Sequence, residues 1–243
     1  MGLLTDIARG FLDLIFPREC AGCGRIDRPF LCSECRSLLE WIDTGQVCAR
    51  CGMPVEESEI SIMTSCPRCR ESRPKFDGVT AALEYAEPLS NCIVLWKYEG
   101  MREISETLSE LLCERLDYQR PKWWPEIEAV IPVPHHESSV KLRGFSPPDE
   151  IASPIAERFG LPFLPKTLFK IKYTCPQNGL DLPARMVNLV GSMKVFDESI
   201  TEGKTILVID DVMTTGSTLN ECARALKHAG VKKVYGLVIA RHI

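Results

Sequence analysis

The chain predicts an α/β fold, an open and mostly parallel sheet, with a small cysteine-rich module ahead of it. Two observations carry this. Short, β-branched apolar runs alternate with stretches whose apolar residues recur at helical spacing, the pattern of buried parallel strands joined by crossover helices. Cysteine usage also splits the chain: eight of its twelve cysteines lie before residue 70, in four Cys-x-x-Cys pairs. At 243 residues and 45% hydrophobic composition, the chain can bury a core of one main domain plus an appendage.

The pairs are Cys20/Cys23, Cys32/Cys35, Cys48/Cys51 and Cys66/Cys69. Two such pairs bring four thiolates into a tetrahedron, which satisfies zinc with no open position, so two structural zinc ions are expected. The spacing favours sequential wiring, with Cys20, Cys23, Cys32 and Cys35 on one ion and Cys48, Cys51, Cys66 and Cys69 on the other. An alternating, cross-braced wiring stays open. Closed sites of this kind hold a fold together and do not catalyse. The expected domains are an amphipathic helix over 1–17, a double zinc ribbon over 18–72 and the main domain over 76–243. The first helix follows from Leu3, Leu4, Ile7, Phe11, Leu14 and Ile15, broken by Asp6 and Asp13. That pattern is not a secretion leader and no run reaches transmembrane length, so a cytoplasmic protein with reduced or metal-bound thiols is expected.

In the main domain, Arg73-Pro74-Lys75 reads as a hinge and 79–85 as a strand. Ile104, Leu108, Leu111, Leu112 and Leu116 trace an amphipathic helix, and Trp123 and Trp124 sit in a loop that caps the core. Residues 129–133 form a second buried strand, followed by His135 and His136, which read as exposed loop residues. Pro154 should interrupt the helix that comes next. The stretch 166–185 carries Lys166, Lys170, Lys172 and Arg185 against Asp181 alone, with Pro176, Gly179 and Pro183, and reads as a mobile basic loop. Residues 234–240 close the sheet.

The run 206–218, ILVIDDVMTTGST, is the centre of this arrangement. Ile206, Leu207, Val208, Ile209 and Val212 suit a strand buried on both faces, and Asp210 and Asp211 should end it. A hydroxyl loop follows, with Met213, Thr214, Thr215, Gly216, Ser217 and Thr218. Leu219, Cys222, Ala223 and Leu226 then share a helical face, with Gly230 as its stop. A helix start offers unpaired N–H groups and a positive dipole end to an anion, and Gly216 allows close approach. The aspartates can accept from the vicinal hydroxyls of a ribose and help hold magnesium. This is a phosphorylated-sugar site. The acidic strand of a nucleoside triphosphatase is a poorer fit, because Gly203-Lys204-Thr205 precedes the strand instead of following one. A receiver-domain acid pair would lie on a first strand.

The run resembles the phosphoribosyl-diphosphate (PRPP) loop of type I phosphoribosyltransferases, and the wider chain resembles the ComF family of competence-associated proteins. The resemblance also rests on the cysteine pairs, Leu95-Trp96-Lys97-Tyr98-Glu99-Gly100, Ile131-Pro132-Val133-Pro134, Arg143-Gly144-Phe145, and Gln177 through Arg185 and Asn188. It implies a type I phosphoribosyltransferase-like parallel sheet, with PRPP or a related phosphosugar bound with magnesium by Asp210 to Thr218 and by Arg143. It implies Asp210 and Asp211 as the residues of any chemistry. It also implies a role in natural transformation and DNA uptake, with single-stranded DNA and uptake-machinery proteins as expected partners. Lys97, Lys141, Lys170, Lys172 and Arg185 are the candidate DNA contacts. An active phosphoribosyltransferase losing diphosphate to an unknown acceptor is the alternative. The chain departs from the family at Ser146-Pro147-Pro148, which replaces an Asn-Gln and puts that pair's role in doubt. With a formal net charge of −4 and 7% aromatics, any grip on DNA should lean on local charge.

Overall fold

A computed structural model describes residues 18–26, 29–43, 45–55, 65–172 and 189–243. The expected helix over 1–17, and Gln177, Arg185 and Asn188, lie outside these.

Four parallel strands form the main sheet in the order β1-β6-β5-β2: β1 Gly78–Glu84, β6 Lys233–Arg241, β5 Thr205–Met213 and β2 Ala129–Pro132. Alternation along β5 shows why the run is so apolar. Leu207 and Ile209 enter one core with Leu83, Leu237 and Ile239, whereas Ile206 and Val208 enter the other with Ala81 and Val238.

Two short helices precede the sheet, α1 Ser33–Ser37 and α2 Pro67–Ser72. The first core face is covered by α3 Leu89–Tyr98, α4 Ile104–Tyr118 and α6 Pro147–Arg158. All five apolar positions expected on α4 are buried. A one-turn 3-10 helix, Trp124–Glu126, precedes β2, and Trp123 stacks on Tyr235 of β6 with ring centroids 4.5 Å apart. Helix α5 Glu137–Arg143 follows β2. The opposite face is covered by α7 Ser217–His228 and by a two-stranded antiparallel ribbon, β3 Leu168–Lys170 with β4 Met193–Val195.

Three expectations are corrected here. Asp210 and Asp211 do not end β5. The strand runs on to Met213, because β6 extends beside it as far as Arg241 and keeps the ladder paired. Pro154 does not interrupt α6; it lies on the exposed face, where the carbonyl it leaves unpaired can meet water. Pro147 and Pro148 open that helix, where N–H groups have no intrahelical acceptor, so they cost it no hydrogen bond. The basic stretch is not loop throughout, since it includes β3.

Each cysteine group joins a different core. Cys20, Cys32 and Cys35 pack with Leu89 and Trp96 of α3, and Cys48, Cys51 and Cys69 pack with Phe76, Met213 and the α7 side. Between the groups, 40–42 adds to the outer edge of β1 through Ile42 N–H to the Ala82 carbonyl (3.1 Å) and Glu84 N–H to the Glu40 carbonyl (2.9 Å).

Candidate functional site

The two cysteine groups are gathered sequentially. The four Sγ atoms of Cys20, Cys23, Cys32 and Cys35 all lie within 4.8 Å of one another, as do those of Cys48, Cys51, Cys66 and Cys69. An ion about 2.3 Å from each of four sulfurs sets them about 3.8 Å apart at tetrahedral angles. The Cys23–Cys32 and Cys51–Cys66 separations, 3.9 and 3.8 Å, match that spacing. Backbone amides turn toward the sulfurs: Cys32 N–H donates to Cys20 Sγ (3.3 Å) and Cys66 N–H to Cys48 Sγ (3.2 Å). Gly52 closes the second knuckle at φ +68°, where a Cβ would sit 2.6 Å from the Val79 carbonyl oxygen. Both donor sets fit structural zinc.

The acid pair is set by an offset between strands. β2 stops at Pro132, opposite Ile209, so Asp210 and Asp211 lie just beyond the end of their neighbour on that side. They are only 7% and 4% exposed. Asp210 Oδ1 accepts from Asp211 N–H (2.9 Å), and Asp211 Oδ1 accepts from Val212 N–H (2.6 Å). Lys97 Nζ from α3 lies 2.7 Å from Asp211 Oδ1, and Arg143 Nε donates to the Lys97 carbonyl at 2.7 Å. Asp211 Oδ2 and His135 Nδ1 are buried without a hydrogen-bond partner, bonding capacity held ready for something else.

Charge inside this group is uneven. Burial pushes the Asp210 carboxyl up to about 7, and the neighbouring Asp211 charge adds to it. Burial works the same way on Asp211, but the Lys97 ammonium outweighs it and holds that carboxyl below the ordinary range. Burial would lower Lys97, and the two aspartates reverse it, so its pKa is raised. His135 is pushed down to about 4, chiefly by burial, with Lys97, Arg143 and Lys170 adding their repulsion against the opposing pull of Asp211. It is therefore a neutral imidazole at neutral pH. The expectation that both histidines are exposed loop residues fails: both are half-buried, His136 as the N-cap of α5, accepting from Ser138 N–H, and His135 with its Nδ1 shut away from solvent.

The hydroxyl loop starts α7. Gly216 is its N-cap at φ +79°, and a Cβ there would lie 2.6 Å from Met213 Cε. Thr215 Oγ1 and Ser217 Oγ lie 2.6 Å apart, and Thr215 Oγ1 accepts from Ser217 N–H at 3.2 Å. This Ser/Thr turn faces the helix start with hydroxyls.

The candidate lysines separate. Lys97 is ion-paired within the acid group. Lys170 is half-buried on the ribbon face it shares with buried Leu168, and burial lowers its pKa against the pull of Cys222 and Asp210. Lys172 is exposed at the end of β3, and Lys141 is exposed on α5, 3.6 Å from Glu137. Arg185 lies outside the described residues. Sequence reading missed the link from the second cysteine group to the loop: Arg68 Nη2 donates to the Thr215 carbonyl (2.9 Å), and Lys75 N–H donates to Asn220 Oδ1 (2.7 Å). Separations of about 145 positions leave no local signal for such bonds.

Comparison with known proteins agrees with this layout. Residues 11–70 match the double zinc ribbon domain, and residues 151–242 match the phosphoribosyl transferase domain. The chain is similar to competence protein F of Haemophilus influenzae, at 29% identity over 92% of this chain and 95% of that protein. It is 28% identical to the DNA utilization protein YhgH of Escherichia coli K12, over 84% of this chain and 87% of that one. It is also 26% identical to competence protein ComFC of Streptococcus pneumoniae, over 89% and 90% of the two chains. Over most of its length the chain is thus similar to proteins named competence protein F, ComFC and YhgH. Its sheet is of the phosphoribosyltransferase-like α/β type, preceded by a double zinc ribbon. Among the described residues no helix is long and apolar enough to cross a membrane.

The buried acid pair makes one measurable prediction independent of any ligand. Asp210 holds a proton in the folded protein between about pH 4 and 7 that the unfolded chain has released, so its contribution to stability falls as pH rises through that window. Asp210→Asn removes this dependence and is expected to stabilise the protein at pH 8 by roughly 2–4 kcal/mol, with little gain at pH 5. Urea unfolding at the two pH values checks it.

Proposed function

We propose that this protein binds PRPP or a related phosphosugar with magnesium, and single-stranded DNA on a neighbouring basic surface, in the service of DNA uptake and natural transformation. The observation that supports it most is the buried acid pair set just before a hydroxyl loop that opens a helix. In this reading the sugar's 5′-phosphate rests on the backbone and hydroxyls of residues 214–218, and the ribose hydroxyls donate to Asp210 and Asp211. The unpartnered Asp211 Oδ2 fits a further donor or a cation. Bound magnesium would be held by these carboxylates, directly or through water, and would neutralise diphosphate charge. Arg143, with Lys97 and Lys170 nearby, supplies positive charge where the diphosphate would lie. The relatives' names, competence protein and DNA utilization protein, support the biological setting.

The second reading is pentosyl transfer. Departure of diphosphate leaves positive charge at the anomeric carbon, which the Asp211 carboxylate, held ionised by Lys97, would stabilise electrostatically. In this reading neutral His135, whose Nδ1 has no partner, is the candidate for proton exchange there.

Calorimetry with PRPP and magnesium tests the first reading. Wild type should give one binding event, and Asp210→Asn with Asp211→Asn should lose it. Release of diphosphate with some acceptor would establish the second. For DNA, Lys141→Ala with Lys172→Ala should weaken single-strand binding at low salt and flatten its salt slope by roughly 0.7 for each phosphate no longer neutralised. PRPP binding should be unchanged in that variant. Failure of wild type to retain DNA at low salt would remove that part of the proposal.

A further inference from the structure

A cavity of about 400 Å³ lies on the flank of the hydroxyl loop, between the loop and the second cysteine module. Thr215, Gly216 and Ser217 form one wall. Asp210, Asp211, Lys97 and Arg143 do not line it, so it is separate from the acid site and meets that site only at the loop. Its volume is within the range of small-molecule sites, roughly 300–1,000 Å³, and far exceeds what a phosphate group needs.

The lining is built for a flat, largely apolar group joined to a charged one. Met53, Pro54 and Val55 line it together with Phe76 and Met213. Polar groups are few and specific. Arg68 lines the cavity while it holds the Thr215 carbonyl, and Asn220 lines it with Oδ1 taken by the Lys75 amide, which leaves an NH2 donor. Arg241 also lines the cavity. It is 1% exposed, it donates to the Cys51 carbonyl through Nη1, and its Nε has no partner. Its guanidinium puts positive charge at the cavity wall, which suits a phosphate or a base carbonyl. Apolar walls with a few convergent donors are how a nucleobase is held by face and edge.

We propose that this cavity seats a nucleoside esterified to the phosphate on the loop, so that the bound species is a phosphodiester-linked nucleotide running across the loop. The sugar on one side of that phosphate faces the acid pair, and the nucleoside on the other side fills the cavity. This rests on reading the loop as a phosphate cradle and gives the nucleic acid of that reading a subsite: a nucleoside cavity beside an internal phosphate held on the loop. Gly216, without a Cβ, keeps the loop thin enough for one phosphate to be reached from both flanks.

The test is calorimetry on zinc-loaded full-length protein with PRPP and magnesium, with the dinucleoside monophosphates UpU and TpT, and with the corresponding 5′-monophosphates. At least one dinucleoside monophosphate should bind about tenfold or more tighter than its 5′-monophosphate. Val55→Trp and Ser72→Trp fill the cavity from different stretches of the second module. Each should abolish that advantage and leave PRPP affinity within about twofold, a change too small to reflect a missing hydrogen bond. Zinc content verifies that each variant is folded, and the wild-type comparison decides alone if neither is. Dinucleotides no tighter than monophosphates, with PRPP binding intact, would overturn the cavity assignment alone. So would an advantage that survives in a filled, zinc-loaded variant. Absence of PRPP binding in wild type would instead remove the phosphate-cradle reading, and the assignment with it.

Discussion

Stripping zinc with a chelator is expected to lower the melting temperature by more than about 15 °C, because structural zinc contributes on the order of 10 kcal/mol per site to a small ribbon. The effect should reach the sheet, since the cysteines are core residues of the main domain: Cys35 packs in the cluster of Leu89 and Trp96, and Cys69 in that of Phe76 and Val79. Loss of the metal leaves four thiols crowded within 4.8 Å and no charge to hold them there. Differential scanning calorimetry with and without chelator, and metal analysis of the same samples, measure this directly. The grouping of ligands has its own signature. Cys20→Ser with Cys35→Ser should cost one equivalent of zinc and leave the second, whereas wiring by alternating pairs would lose both.

Lys97→Met is the second large effect, expected to destabilise by about 3–5 kcal/mol, because it abandons a buried carboxylate. Asp211 is 4% exposed, and its other oxygen already lacks a partner, so the Lys97 ammonium at 2.7 Å is its principal counter-charge. Adding Asp211→Asn to Lys97→Met should recover most of that loss, since removing both charges avoids stranding either. Urea unfolding of the two single variants and the double closes the cycle. A double variant as unstable as Lys97→Met would mean that the lysine stabilises by packing and not by charge. Substrate binding gives a further contrast: the double variant should be stable and should not bind PRPP.

What is legible in the sequence is local. The strand, the acids, the hydroxyl loop and the helix that follows occupy 206–228 without a break, so periodicity and turn chemistry suffice to read them. The cysteine pairs announce themselves by spacing. Strand length escapes such a reading because it depends on a partner: β5 passes through Asp210 and Asp211 only because β6 continues alongside it to Arg241. Pro154 escapes it because its tolerance depends on which way α6 faces. Lys97 stands out as a basic residue, but its pairing with Asp211 joins α3 to β5 across more than a hundred positions, and no pattern in either segment encodes that. His135 is hidden for the same reason, since its seclusion is decided by the elements that pack around the β2 end.

The bond from Arg241 to the Cys51 carbonyl spans 190 positions and ties the last strand to the second cysteine module. During synthesis the ribbons leave the ribosome long before β6 exists, so they can load metal while the surface that receives them is still missing. Docking of the second module must wait for β6. Until β6 is made, the second cysteine module lacks the Arg241 bond that moors it to the sheet.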